Sequence, residues 1–122
     1  MTIALLGTGL LGSAIATRLL TCGHSLSVWN RHPERCQPLV ELGARQATSP
    51  AAAAAAADWV LTVLSDGPST HAVLIDQIGE QLQGRRVLQI GTIGPAESQQ
   101  LGDAVIALGG LYLEAPVLGS RP

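Results

Sequence analysis

The sequence predicts a doubly wound α/β fold, a mainly parallel sheet with helices on both faces. Three observations point there. Short apolar runs alternate along the chain with stretches whose apolar residues recur every three or four positions. Hydrophobic residues make up 47% of the chain, yet its aromatics are only Trp29, Trp59 and Tyr112. The core must therefore be built from Leu, Ile, Val and Ala, which suits a parallel sheet buried on both sides. Finally, no linker or short repeat interrupts the pattern, so 122 residues read as one domain, residues 1–122.

Each element follows in order. Thr2–Leu6 is an apolar run that stops at Gly7, as a buried strand does. Leu11, Ile15 and Leu19 then recur every four residues with Arg18 turned away, a helical face that ends at Gly23. Ser25–Trp29 alternates as a second strand. A helix is expected from Pro33 to Leu42, with Pro33 opening it, Gly43 past its end, and Pro38 shortening or kinking it. Ser49-Pro50 ahead of seven Ala residues reads as a capped helix, because Ser caps, Pro opens and Ala propagates. Trp59–Leu64 is the next strand. Pro68 to about Gln83 is expected to be helical with a break near Gly79, Arg86–Ile90 is a further strand, Pro95–Leu108 a helix, and Leu111–Glu114 the last strand.

Composition excludes several classes. A net charge of −2 without a basic stripe argues against nucleic acid. The apolar start, Ile3 to Leu6, is too short for a signal peptide or a membrane span, so no membrane partner is expected and the reading is cytoplasmic. Cys22 and Cys36 have no metal-ligand spacing and suggest no disulfide framework. A homo-oligomer remains open.

The chemistry begins with Gly7-Thr8-Gly9-Leu10-Leu11-Gly12, a G-x-G-x-x-G pattern. Alone it is weak in a chain with 14 glycines, but it follows the first strand and opens the first helix. Gly7 permits a tight turn, Gly9 lets a pyrophosphate approach, and Gly12 allows close packing of helix on strand. The free N–H groups and dipole at the helix start attract phosphate. This makes the fold Rossmann-type. At the end of the second strand, where NAD and FAD proteins usually carry an acid for the ribose hydroxyls, this chain has Trp29-Asn30-Arg31. A carboxylate would repel a 2′-phosphate, whereas Asn30 can bond to it and Arg31 can pair with it as a fork. NADP(H) is therefore expected over NAD.

With these motifs placed, the whole chain resembles the beta-hydroxyacid dehydrogenase family, which includes 3-hydroxyisobutyrate dehydrogenases and glyoxylate and succinic semialdehyde reductases. The resemblance rests on GTGLLG at 7–12, Gly23-His24, VWNR at 28–31, VLSD at 63–66, GTIGP at 91–95 and EAPVLGS at 114–120. It implies that Leu64 and Ser65 pack on the cofactor, with Ser69 as a further contact, and that Thr92 lies near the nicotinamide. It implies too that backbone N–H groups of Leu118, Gly119 and Ser120 hold a substrate carboxylate. Gly91 and Leu118 stand where the family often has Ser, so its side-chain hydroxyl contact to substrate is not carried over.

The implied reaction is hydride transfer between NADPH and a small carboxylate-bearing aldehyde, keto acid or 3-hydroxy acid. The resemblance places the proton-donating Lys in a following helical domain, and this chain has no Lys, so no catalytic residue is expected within it. An imine reductase or a non-catalytic NADP-binding module are the alternatives. His24 and the two cysteines read as structural, His71 lies on a predicted helix, His32 stands next to Arg31 where a cofactor contact is open but not favoured, and Asp66 reads as a helix cap.

Overall fold

The structure is a computed structural model that describes residues 2–91 and 93–115. The chain opens with β1 (Thr2–Leu6), α1 (Leu10–Thr21) and β2 (Ser25–Trp29). A 3₁₀ turn (Pro33–Cys36) then runs into α2 (Gln37–Glu41), followed by β3 (Arg45–Gln46), α3 (Pro50–Ala55) and β4 (Trp59–Thr62). α4 (Gly67–His71) continues as a π-helical segment (Ala72–Ile78) and a 3₁₀ turn (Gly79–Leu82). β5 (Arg86–Ile90), α5 (Pro95–Ala107) and β6 (Leu111–Ala115) complete it.

The strands lie in the order β3-β2-β1-β4-β5-β6, and every neighbouring pair is parallel. The winding reverses between β1 and β4, which opens a crevice beyond the carboxyl ends of those two strands. Alternation along each strand feeds two cores. On one face Ala4, Leu6, Val60 and Val87 pack under Ala53, Val73, Leu74, Leu101 and Val105. On the other, Ile3, Leu5, Leu26, Val28 and Leu61 meet Ala16, Cys36 and Leu39. The doubly wound Rossmann-type fold expected from the sequence is the fold observed.

Several elements differ in detail, each for a local reason. The expected helix from Pro33 to Leu42 divides at Cys36, so that Pro38 sits in the first turn of α2, where an absent N–H is harmless. The third strand is two exposed residues, Arg45 and Gln46, with no apolar alternation to announce them. β4 ends at Thr62, which frees Val63 and Leu64 for the loop above it. Gly79, with φ +57°, breaks the helix after Ile78 as expected, whereas the π-helical winding before it has no signature in the sequence. The alanine run does form a helix over Pro50–Ala55. Ser49 Oγ accepts from the Ala52 N–H at 3.0 Å, and Ala53 and Ala54 are fully buried against the sheet. Beyond its end, the Arg85 guanidinium donates to the carbonyls of Ala54, Ala55 and Ala57, satisfying acceptors that the helix leaves open. Among the described residues no helix is long and apolar enough to cross a membrane.

Candidate functional site

The three glycines after β1 do different work. Gly7 has φ +108°, and its N–H donates to the Trp29 carbonyl at 2.8 Å. A Cβ there would collide with the Val63 carbonyl oxygen. A Cβ on Gly12, in the first turn of α1, would collide with the carbonyl of Gly7. The fold itself demands both. Gly9 is the N-cap of α1, and a Cβ on it would meet nothing within 4 Å. Nothing in the protein fills the space beside this glycine, which leaves room for the close approach of a ligand. No side chain caps the helix there, and the first-turn N–H groups are left for that ligand.

The loop is fixed from below. Asn30 Oδ1 accepts the Thr8 N–H at 2.9 Å, and Asn30 Nδ2 donates to the His32 carbonyl at 3.2 Å. Ser13 Oγ donates to the Thr8 carbonyl at 2.9 Å, and Thr8 itself is buried. In this arrangement Asn30 serves as a clamp between the glycine loop and the end of β2. The sequence reading gave its side chain to a phosphate instead.

A cleft of about 290 Å³ opens above the loop. It is lined by Gly7, Gly9, Trp29, Asn30, Arg31, His32 and Arg35 from the first half of the chain. Leu64, Ser65 and Ser69 line it too, with Val73 and Gln77 of the π-helical segment. Of the residues the sequence singled out, the structure gathers Gly7, Gly9, Asn30, Arg31, Leu64, Ser65 and Ser69 on this one cleft. Thr8 and Gly12 lie beneath it, while Leu10, 94% exposed, and Leu11 stand on the outer face of the first turn of α1. Thr92, Leu118, Gly119 and Ser120 fall outside the described residues. Arg35 and Gln77 were missed. Arg35 had a legible signal, since it follows Arg31 by four residues across a helix-opening Pro.

The cleft lining carries two guanidinium groups and no carboxylate. Asp66, next to the lining residue Ser65, is occupied as the cap of α4, with Oδ1 accepting the Ser69 N–H at 2.7 Å. The Ser69 backbone and hydroxyl hold its carboxyl below the usual range, and the positive charge of Arg31 acts in the same direction. The Cys36 thiol beneath the loop is pushed up by burial, which removes it as a nucleophile. The open cradle at Gly9, the unspent N–H groups and the paired arginines fit a phosphate-rich dinucleotide.

A sequence profile of the NAD binding domain of 6-phosphogluconate dehydrogenase matches residues 2–122. The chain belongs to that family. Among curated proteins, glyoxylate/succinic semialdehyde reductase 1 of Arabidopsis thaliana is 33% identical over 124 residues, covering 99% of this chain and 43% of its own length. The cytokine-like nuclear factor N-PAC of Drosophila pseudoobscura pseudoobscura is also 33% identical, over 99% of this chain and 20% of that protein. Among solved structures, an imine reductase from Myxococcus stipitatus in complex with NADP+ superposes with a TM-score of 0.93 at 26% identity, covering 98% of this chain and 42% of that one. Its V8 variant in complex with NAD+ gives 0.92 at 25%, over 97% and 41%. The chain thus spans less than half the length of these relatives. It is an NAD(P)-binding domain of the hydroxyacid-dehydrogenase-like oxidoreductases, as the resemblance of its motifs implied.

Proposed function

We propose that this domain binds NADP(H) in preference to NAD(H), for an oxidoreductase acting on a small carboxylate-bearing aldehyde, keto acid or 3-hydroxy acid. The pairing of Arg31 with Arg35 in a cleft lining that has no carboxylate carries the cofactor choice. A 2′-phosphate between two guanidinium groups gains charge-assisted, fork-shaped hydrogen bonds, while a ribose 2′-hydroxyl finds no acid to bond to. The loop at Gly9 and the start of α1 hold the pyrophosphate, and Leu64, Ser65 and Ser69 line the same cleft. When bound, the cofactor supplies the hydride. The chain's own residues bind and orient it.

The substrate class rests on the reductase relative and on the sequence of the 114–120 segment, whose resemblance to the family implies a carboxylate contact for Leu118, Gly119 and Ser120 and a place near the nicotinamide for Thr92. The similarity to an imine reductase favours a second reading, reduction of an imine over a similar cofactor site. A third reading, a module that binds the nucleotide without turnover, has the N-PAC similarity behind it.

Arg31→Asp tests the cofactor choice. It is expected to erase or reverse the preference for NADPH, a change of about 1.4 kcal/mol or more in relative affinity. Arg35→Ala should weaken NADPH and leave NADH unaffected. Equal losses for both nucleotides in either variant would contradict the role given to these arginines.

A further inference from the structure

Two side chains of the sheet are wholly buried and yet have no hydrogen-bond partner among the described residues: Thr62, which ends β4, and Gln89, next to last in β5. They are register partners on adjacent parallel strands, so both leave the same face of the sheet. Thr62 Oγ1 and both amide atoms of Gln89 are unbonded. An unsatisfied buried polar group costs about 1–3 kcal/mol, which an apolar side chain would avoid. Two positions earlier on the same face the chain does use apolar residues, Val60 and Val87. Polar groups kept at such a cost call for a partner beyond the side chains around them, a water or a bound ligand.

Their location is specific. They sit at the carboxyl ends of β4 and β5, under the loops that begin at Val63 and Gly91. Gly91 has φ +124°, and a Cβ built on it would lie 3.7 Å from Gln89 Nε2 and 3.7 Å from the Leu64 carbonyl oxygen. The amide therefore reaches up to the gap between the two loops, and Leu64 and Ser65 of the first loop line the cleft. With the pyrophosphate at Gly9 and the 2′-phosphate at Arg31, this is the side of the cleft left for the other end of the dinucleotide.

We propose that Gln89, with Thr62 beside it, is a positioning residue for the nicotinamide end of the cofactor. Its amide offers both a donor and an acceptor, so one side chain can tie the backbones of both loops from beneath as the ring packs on them. The proposal rests on the NADP(H) reading and adds to it a residue that no motif indicated.

The test compares two ligands, NADPH and 2′-phospho-ADP-ribose, which lacks the nicotinamide, on the unaltered chain and on Gln89→Met. The Met side chain is similar in length and apolar, so the melting temperature should hold or rise. NADPH affinity should fall about fivefold, the worth of one ordinary hydrogen bond, with loss of the bound nicotinamide's fluorescence enhancement. Affinity for 2′-phospho-ADP-ribose should stay the same. Equal losses for the two ligands mean a packing role and overturn the proposal, as does no loss for either. Should Gln89→Met not fold, the isosteric Thr62→Val carries the same test, with about a threefold selective loss expected. An unaltered chain that binds 2′-phospho-ADP-ribose but gains nothing from the nicotinamide overturns this proposal alone. One that binds neither ligand overturns the NADP(H) reading as well.

Discussion

Gly9 and Gly12 are three residues apart in one motif, but substitution should separate their roles. Gly12→Ala forces a Cβ onto the Gly7 carbonyl, so destabilisation of about 1–3 kcal/mol is expected, as for other overpacked positions. Gly9→Val places its side chain in open space at an extended backbone, so the fold should survive while nucleotide binding is lost. Circular dichroism melts and a binding titration on the same samples would check both. A Gly9→Val protein that binds NADPH normally would mean that the loop is only a turn. The sequence made the glycines legible through their spacing, but it could not distinguish the two demanded by packing from the one left for a ligand. For Gly7 that distinction needs the position of the Val63 carbonyl, more than fifty residues away, and for Gly12 the path that brings the loop back over the Gly7 carbonyl. Asn30 was misread for the same reason: its bond to the Thr8 N–H spans 22 residues and is invisible until β1 and β2 lie side by side.

At the scale of elements, capping and breaking signals were legible because they act locally. Ser49, Pro50 and Asp66 do at their helix starts what their chemistry predicts. β3 and the π-helical turn were not legible, since the first is set by its pairing with β2 and the second has no local sequence signal, though its Val73, Leu74 and Ile78 pack into the core. The Asp66 cap gives a pH dependence with a definite sign. The folded-state pKa is depressed, so the contribution of this carboxylate is present above the ordinary carboxyl pKa of about 4 and disappears as pH falls through the folded value. Asp66→Ala should accordingly lower the melting temperature at pH 7. As pH falls through the folded value, the variant's melting temperature should approach that of the unaltered chain. A constant difference across that range would show that Asp66 acts otherwise than as a charged cap.

The whole molecule places its site by topology. The order β3-β2-β1-β4-β5-β6 reverses beside β1, and the cleft lies at the carboxyl ends of the strands on either side of that reversal. Alternation of strands and helices sufficed to foresee a parallel, doubly wound sheet, because parallel crossovers allow few arrangements; the strand order and the place of the reversal come from the structure. Alternation did not foresee that Arg35 would join Arg31 in one cleft. Binding and turnover should separate in this chain, which has no Lys to protonate a developing alkoxide. A positioned proton donor contributes typically about 10²–10⁴-fold, so NADPH should bind without steady oxidation when glyoxylate or succinic semialdehyde is added. Sustained loss of reduced-nicotinamide absorbance would return attention to His32, His71 and Asp66. The central claim, a dinucleotide cleft selective for the 2′-phosphate, is tested most directly by calorimetric titration of the unmodified chain with NADPH and with NADH. NADPH is expected to bind at least about tenfold more tightly, a difference of about 1.4 kcal/mol. Equal affinities, or a preference for NADH, would contradict it.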